Sequence, residues 1–104
     1  MDGCIVYMTC GSVEEAKDIT KKVVEERLAA CGNIMAPITS IYEWDGKLAE
    51  EAEIGVMLKT REVKATDLMA RLKELHSYDV PCIIRWSMSG GDPDYLHWLY
   101  EKTA

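Results

Sequence analysis

The stretch Arg27-Leu28-Ala29-Ala30-Cys31-Gly32-Asn33-Ile34, followed by Ser40-Ile41-Tyr42-Glu43-Trp44-Asp45-Gly46-Lys47, does most to limit how this chain can fold. It reads as the end of a helix that stops at Gly32, then a long apolar strand that enters a tight turn. A Gly just past a periodic segment ends a helix because it takes the left-handed conformation without a Cβ clash. Asp45-Gly46 between two β-patterned runs is a strong hairpin signal, since a two-residue type I′ turn needs positive φ at both positions. The chain therefore doubles back on itself here.

The other elements follow in order. Cys4-Ile5-Val6-Tyr7-Met8-Thr9-Cys10 is a short apolar run rich in β-formers, a buried strand. Ser12-x-x-Glu15 is a capping-box signature. Val13, Ala16, Ile19, Val23, Leu28 and Cys31 then recur at near-helical spacing, with charged residues between them. The second strand runs from about Asn33 to Trp44, and Pro37 within it predicts a bulge or an unpaired edge. Ala52, Ile54, Val56 and Leu58 alternate with polar positions, marking a strand with one buried face. Thr60 is placed as the cap of a second helix with the stripe Ala65, Leu68, Met69, Leu72, Leu75 and His76. Pro81 opens a fourth strand through Met88, and Asp92-Pro93 caps a closing helix.

The order is βαββαβ followed by α, which predicts an α+β, ferredoxin-like sandwich: one domain over residues 1–104, a four-stranded antiparallel sheet and a long hairpin between its second and third strands. A strand from about Asn33 to Trp44 spans roughly 40 Å at about 3.3 Å per residue, whereas a helix of roughly 18 residues covers about 27 Å. The hairpin overshoots its helical cover, and the overhang carries Ile41, Tyr42 and Trp44. Pairing with a neighbouring copy would bury that surface by strand addition.

Charge and cysteine usage narrow the class. Twelve basic against eighteen acidic side chains give a net charge of −6, which disfavours nucleic acid and anionic lipid as partners. No apolar run approaches the roughly 20 residues of a membrane span. Met1-Asp2-Gly3 is too short and acidic for a signal peptide, so a cytoplasmic protein is expected. Cys4, Cys10, Cys31 and Cys82 form no Cys-x-x-Cys pair and read as reduced, buried small hydrophobes. No Ser-His-Asp order, Walker loop or paired-carboxylate spacing stands out, and the loop Thr9-Cys10-Gly11-Ser12 lacks the Arg an acylphosphatase needs. The expectation is a protein that is not an enzyme.

Taken together, Glu26-Arg27-Leu28-Ala29-Ala30-Cys31-x-Asn33-Ile34, Ser40-Ile41-Tyr42-x-Trp44-x-Gly46-Lys47, Glu53, Lys59-Thr60, His76-x-Tyr78-x-x-Pro81 and Asp94-Tyr95-Leu96-x-Trp98 resemble the CutA divalent-cation tolerance family over nearly the whole chain. The resemblance implies a ferredoxin-like subunit in a homotrimer with intersubunit sheet pairing, tolerance to copper and other divalent metals, copper binding in some members, and an architecture like that of the PII signalling proteins. The copper ligands proposed in the family are a Cys at the end of the first strand and His residues at the end of the second helix. Here those positions read Met8, with Cys10 two residues on, and His76, preceded by Leu75.

Two constellations emerge as candidate sites. Thiol, thioether and imidazole suit Cu(I), so Met8, Cys10, His76 and Cys82 form a ligand set for copper or another divalent cation if the fold gathers them. His76 on its own reads first as a packed residue hydrogen-bonded to its neighbours, and second as a ligand. Glu53 and Lys59 share one face of the third strand and read first as solvated rim charges; if a trimer covers that face, they join Tyr42, Trp44 and Tyr78 in an intersubunit cleft for a small anionic metabolite, as in a PII-like sensor. Tyr95 and Trp98 at helical spacing are packing residues for a neighbouring subunit, alongside Ile41, and a trimeric scaffold anchoring a partner protein is the remaining alternative. With the overhang paired between copies, light scattering at micromolar concentration should return a multi-subunit mass; the mass of a single 11.7 kDa chain would overturn this.

Overall fold

Alternation of apolar and polar residues builds the sheet, and its even-numbered face builds the core. In the computed structural model, which describes residues 1–104, the elements are β1 (Gly3–Cys10), α1 (Val13–Glu25), β2 (Cys31–Trp44), β3 (Lys47–Arg61), α2 (Ala65–Leu75), β4 (Ile83–Ser87) and α3 (Pro93–Lys102). A short 3-10 turn, Glu62–Lys64, joins β3 to α2. The sheet order is β2-β3-β1-β4, antiparallel throughout. Cys4, Val6, Met8 and Cys10 of β1 and Ile54, Val56 and Leu58 of β3 are buried against Ala16, Ile19 and Val23 of α1 and Ala65, Leu68 and Leu72 of α2. Each large apolar side chain in this layer contributes about 1.5–3 kcal/mol by leaving water.

The expected turn forms, with Asp45 at φ 51° and Gly46 at φ 75°. So do the caps at Ser12, whose hydroxyl accepts from the Glu15 amide, and at Asp92, whose carboxylate accepts from the Tyr95 amide. Two boundaries move. Helix α1 ends at Glu25, well before Gly32, and the left-handed residue that follows is Arg27 (φ 61°). The reason is non-local: the Ala30 amide donates to the Lys59 carbonyl and Cys31 already pairs with Lys59, so the sheet claims residues that continue the helical spacing. Thr60 caps nothing; it pairs with Cys4 inside β3, fully buried, because β1 holds β3 in register as far as Arg61. Of the cysteines, Cys4 and Cys10 are buried, Cys31 is half-buried and Cys82 is exposed; all four are free thiols.

The irregularity expected at Pro37 has a large consequence. Ile34 pairs with Val56 and Pro37 with Ile54, three steps along β2 against two along β3, so one residue of β2 is extra. Beyond it the side chains change face. Ile38, Ser40, Tyr42 and Trp44 now stand opposite Glu53, Glu51, Ala49 and Lys47, on the side of the sheet away from α1 and α2. From Lys47 to Glu53 the strand pairs with β2 alone, because β1 meets β3 only from Ile54 onward. The hairpin end is thus a two-stranded extension, and the molecule measures 45 Å along its long axis. Helix α3 covers the opposite end of the same face. The Arg61 guanidinium donates to the Tyr100 carbonyl and the Thr103 hydroxyl and stacks on the Tyr100 ring, while the Cys31 sulfur lies 3.3 Å from the Tyr95 hydroxyl.

Gly32 serves close packing rather than a turn. A Cβ there would come within 2.6 Å of Thr20 Cγ2 and 2.8 Å of Leu58 Cδ2, while one at Gly90 would meet nothing. Gly32→Ala should therefore lose about 1–3 kcal/mol of stability and Gly90→Ala less than about 0.5 kcal/mol. Urea denaturation of the two variants at equal subunit concentration checks the contrast, and equal midpoints would refute it.

Candidate functional site

Two sites take shape on either side of the loop that follows α2. The first is a side-chain cluster at the α2 C-terminus. His76 ends the helix in extended conformation, with its side chain fully buried. Its Nε2 lies 2.7 Å from the Thr9 carbonyl oxygen, and its Nδ1 lies 3.1 Å from the Tyr78 amide. A carbonyl only accepts and an amide N–H only donates, so the ring is the neutral Nε2–H tautomer with both nitrogens in use. The Ser77 amide donates to Glu15 Oε2 at 2.9 Å. Burial works against the Glu15 charge, but hydrogen bonds from Ser77, the charge that the nearby His76 ring carries when protonated, and a hydrogen bond from the Gly11 amide outweigh it and hold its pKa below the usual value. Glu15 thus leaves the capping box half-made: its carboxylate reaches the loop instead of the Ser12 amide.

Cys10 completes the cluster. One donor atom each from Cys10, Glu15 and His76 lie within 4.8 Å of one another. Burial, with the nearby charges of Glu15 and Glu53, pushes the Cys10 thiol up to about 12. Of the four residues expected to gather as ligands, Cys10 and His76 meet here. Met8 shares their face of β1 but is packed in the core, and Cys82 lines the second site. Glu15 was hidden in the sequence because its local role as a cap residue accounts for it.

The second site is a cavity of about 790 Å³ between the hairpin extension and the loop, lined by Tyr7 and Thr9 of β1, Ile38, Tyr42 and Trp44 of β2, Glu53 of β3, and Tyr78, Asp79 and Val80 of the loop, among others. Glu53 is only 8% exposed. The Tyr78 phenol is raised first by burial and then by the Glu53 charge, and the same two causes act on Tyr7, with Cys82 between them in weight. Gly11 makes room for the Tyr78 hydroxyl, which would lie 3.0 Å from a Cβ at that position. Tyr42, Trp44, Glu53 and Tyr78 therefore meet in one cavity. Lys59 does not join them: it is six residues further along β3, about 20 Å at strand rise, half-buried beside Ile5 and Cys31. Tyr95 and Trp98 lie on α3 with ring centroids 5.7 Å apart and, like Ile41, are exposed.

The two sites are mechanically joined. His76 and Glu15 hold the amides of Tyr78 and Ser77, and those residues form one cavity wall. His76→Leu leaves the part-buried Tyr78 amide and the buried Thr9 carbonyl without their His76 partner and should cost about 2–4 kcal/mol. His76→Gln, which can donate and accept, should restore more than half of that in urea unfolding. An unchanged midpoint for His76→Leu would show that the ring does not pin the loop.

Comparison with known proteins agrees with the fold. The CutA1 divalent ion tolerance protein family matches residues 4–102. The Divalent-cation tolerance protein CutA of Pyrococcus horikoshii is 46% identical over 99 residues, covering 95% of this chain and 96% of that protein. Protein CutA of mouse is 41% identical over 97 residues, 93% of this chain, which spans only 55% of the mouse protein. The solved structure of the periplasmic divalent cation tolerance protein CutA from Archaeoglobus fulgidus superposes with a TM-score of 0.95 at 36% identity, covering 98% of this chain and 99% of that one. Agreement in sequence, fold and extent settles the relationship: the chain belongs to the CutA divalent-cation tolerance family.

Proposed function

We propose that this chain acts in divalent-cation tolerance without catalysis, as a cytoplasmic homotrimer that holds copper or a similar ion weakly at Cys10, Glu15 and His76. The observation that carries the reading is the convergence of those three donors within 4.8 Å. They fit an ion in kind: thiolate and imidazole favour Cu(I), and the carboxylate admits Zn(II) or Cu(II). When bound, the ion would supply no chemistry beyond its own sequestration. The competitors for the donors are also evident, since the Tyr78 amide occupies Nδ1 and burial keeps the Cys10 proton in place. Binding that displaces both is weak. Met8 and Cys82 remain outside the set.

The assembly rests on the hairpin extension. Ile41, Trp44 and Leu48 are more than half exposed there, and Lys47–Glu53 has no partner on its second edge. Exposed edges with apolar side chains favour strand addition, and three copies is the number the family implies. The exposed Tyr95–Trp98 pair offers a second packing surface.

Anaerobic Cu(I) titration in a Cys82→Ser background tests the metal site. Binding near one ion per chain, weakened roughly tenfold or more by Cys10→Ala and by Glu15→Gln, is the expected result. Binding unchanged by both substitutions would place the ion elsewhere. A second reading, a PII-like sensor, is favoured by the cavity, whose volume falls within the range of small-molecule sites.

A further inference from the structure

We propose that Tyr78 is a latch on the cluster of Cys10, Glu15 and His76, and that ligation of an ion by His76 releases it. The inference rests on the metal reading above and concerns the chain's own backbone, namely which hydrogen bond the cluster gives up when it takes an ion. Both imidazole nitrogens are engaged within the chain: Nε2–H donates to the Thr9 carbonyl, and Nδ1 accepts from the Tyr78 amide. A neutral imidazole has one free lone pair. Ligation through Nδ1 takes the lone pair that the Tyr78 amide uses. Ligation through Nε2 moves the proton to Nδ1, where it faces the Tyr78 N–H, donor against donor. By either route the Tyr78 amide loses its acceptor.

Ser77 behaves differently. Its amide donates to Glu15 Oε2 at 2.9 Å. A carboxylate oxygen carries two lone pairs, so Glu15 can serve a cation and keep the Ser77 amide. The chain therefore pivots at Ser77 and opens at Tyr78. The Tyr78 ring packs on the His76 ring with centroids 4.7 Å apart, and its hydroxyl would lie 3.0 Å from a Cβ on Gly11, the residue after Cys10. It thus bridges the two segments that carry the sulfur and the imidazole. The latch is internal, since the His76 side chain is fully buried within the chain and does not depend on what covers the cavity. Its consequence reaches outward, because Tyr78 also lines the surface given above to a neighbouring copy. A neighbour that holds Tyr78 in place weakens ion binding, and an ion that frees Tyr78 weakens that hold by the same factor.

Residue-resolved amide exchange by NMR tests the latch, on the full chain in its native assembly and a Cys82→Ser background, with and without anaerobic Cu(I). The Tyr78 amide should exchange roughly tenfold faster in the loaded protein, and the Ser77 amide within about twofold of its ion-free rate. Gly11→Ala, which crowds the Tyr78 hydroxyl without replacing a ligand, should tighten Cu(I) binding a few-fold, because less is lost on release. Tyr78→Ala keeps the amide, removes the ring and acts in the same direction, so the test stays decisive if Gly11→Ala fails to fold. Cu(I) bound near one per chain with an unchanged Tyr78 amide would overturn the latch and leave the metal site, with Cys10 and Glu15 as its ligands. Equal acceleration at Ser77 and Tyr78, or parental affinity in both variants, would also overturn it. Absence of Cu(I) binding would overturn the metal reading and the latch with it.

Discussion

One extra residue in β2, before Pro37, governs the functional half of this molecule. A strand has a side-chain period of two, so a single insertion exchanges the faces of everything after it. Up to Ile34, the even positions of β2 pack toward the helices with Leu58 and Val56; beyond the bulge, Ile38, Tyr42 and Trp44 stand with Glu53 on the open face. Without it the aromatic residues of the extension would point to the helix side, where no helix reaches them, and Glu53 would lose the β2 wall of its cavity. Proline suits the position because it cannot donate to the ladder at the point where the ladder is already broken.

The loop after α2 is the complementary constraint. His76 and Glu15 spend their hydrogen-bonding capacity on the backbone of residues 76–78, so groups that attract attention as metal donors are also structural pins. That double use explains why a site composed of good ligands for a soft ion need not be a tight one. An ion entering among Cys10, Glu15 and His76 competes with the amides that hold Tyr78 against the cavity. An ion bound there would be felt by the cavity wall, through three residues of chain.

The division of the open face follows from the same architecture. Helix α3 is clamped over one end by Arg61 and by Tyr95 beside Cys31, which leaves the other end to the hairpin and the loop. Membership of the CutA family accounts for the fold. What distinguishes this chain is its own side chains: Met8 where a cysteine is implied by the resemblance, Cys10 two residues on, and Cys82 exposed in the cavity.

Much of the architecture was legible from residues alone. The alternation in β1 and β3, the Asp45-Gly46 turn, the Asp92-Pro93 cap and the break at Pro37 are signals carried within a few residues, where steric preference and burial act locally. Other features depended on partners distant in sequence. Helical spacing continues through Leu28 to Cys31, yet β3 takes those residues by pairing Cys31 with Lys59. Thr60 has the composition of a cap but is held in the sheet by Cys4. Glu53 and Lys59 share a face and look like a pair, but strand rise separates them, so the cavity keeps its acid and not the base. The sequence by itself determined the elements, their order and the position of the bulge; only the tertiary structure decided which side chains met, because register and loop closure depend on contacts between strands that no local pattern encodes.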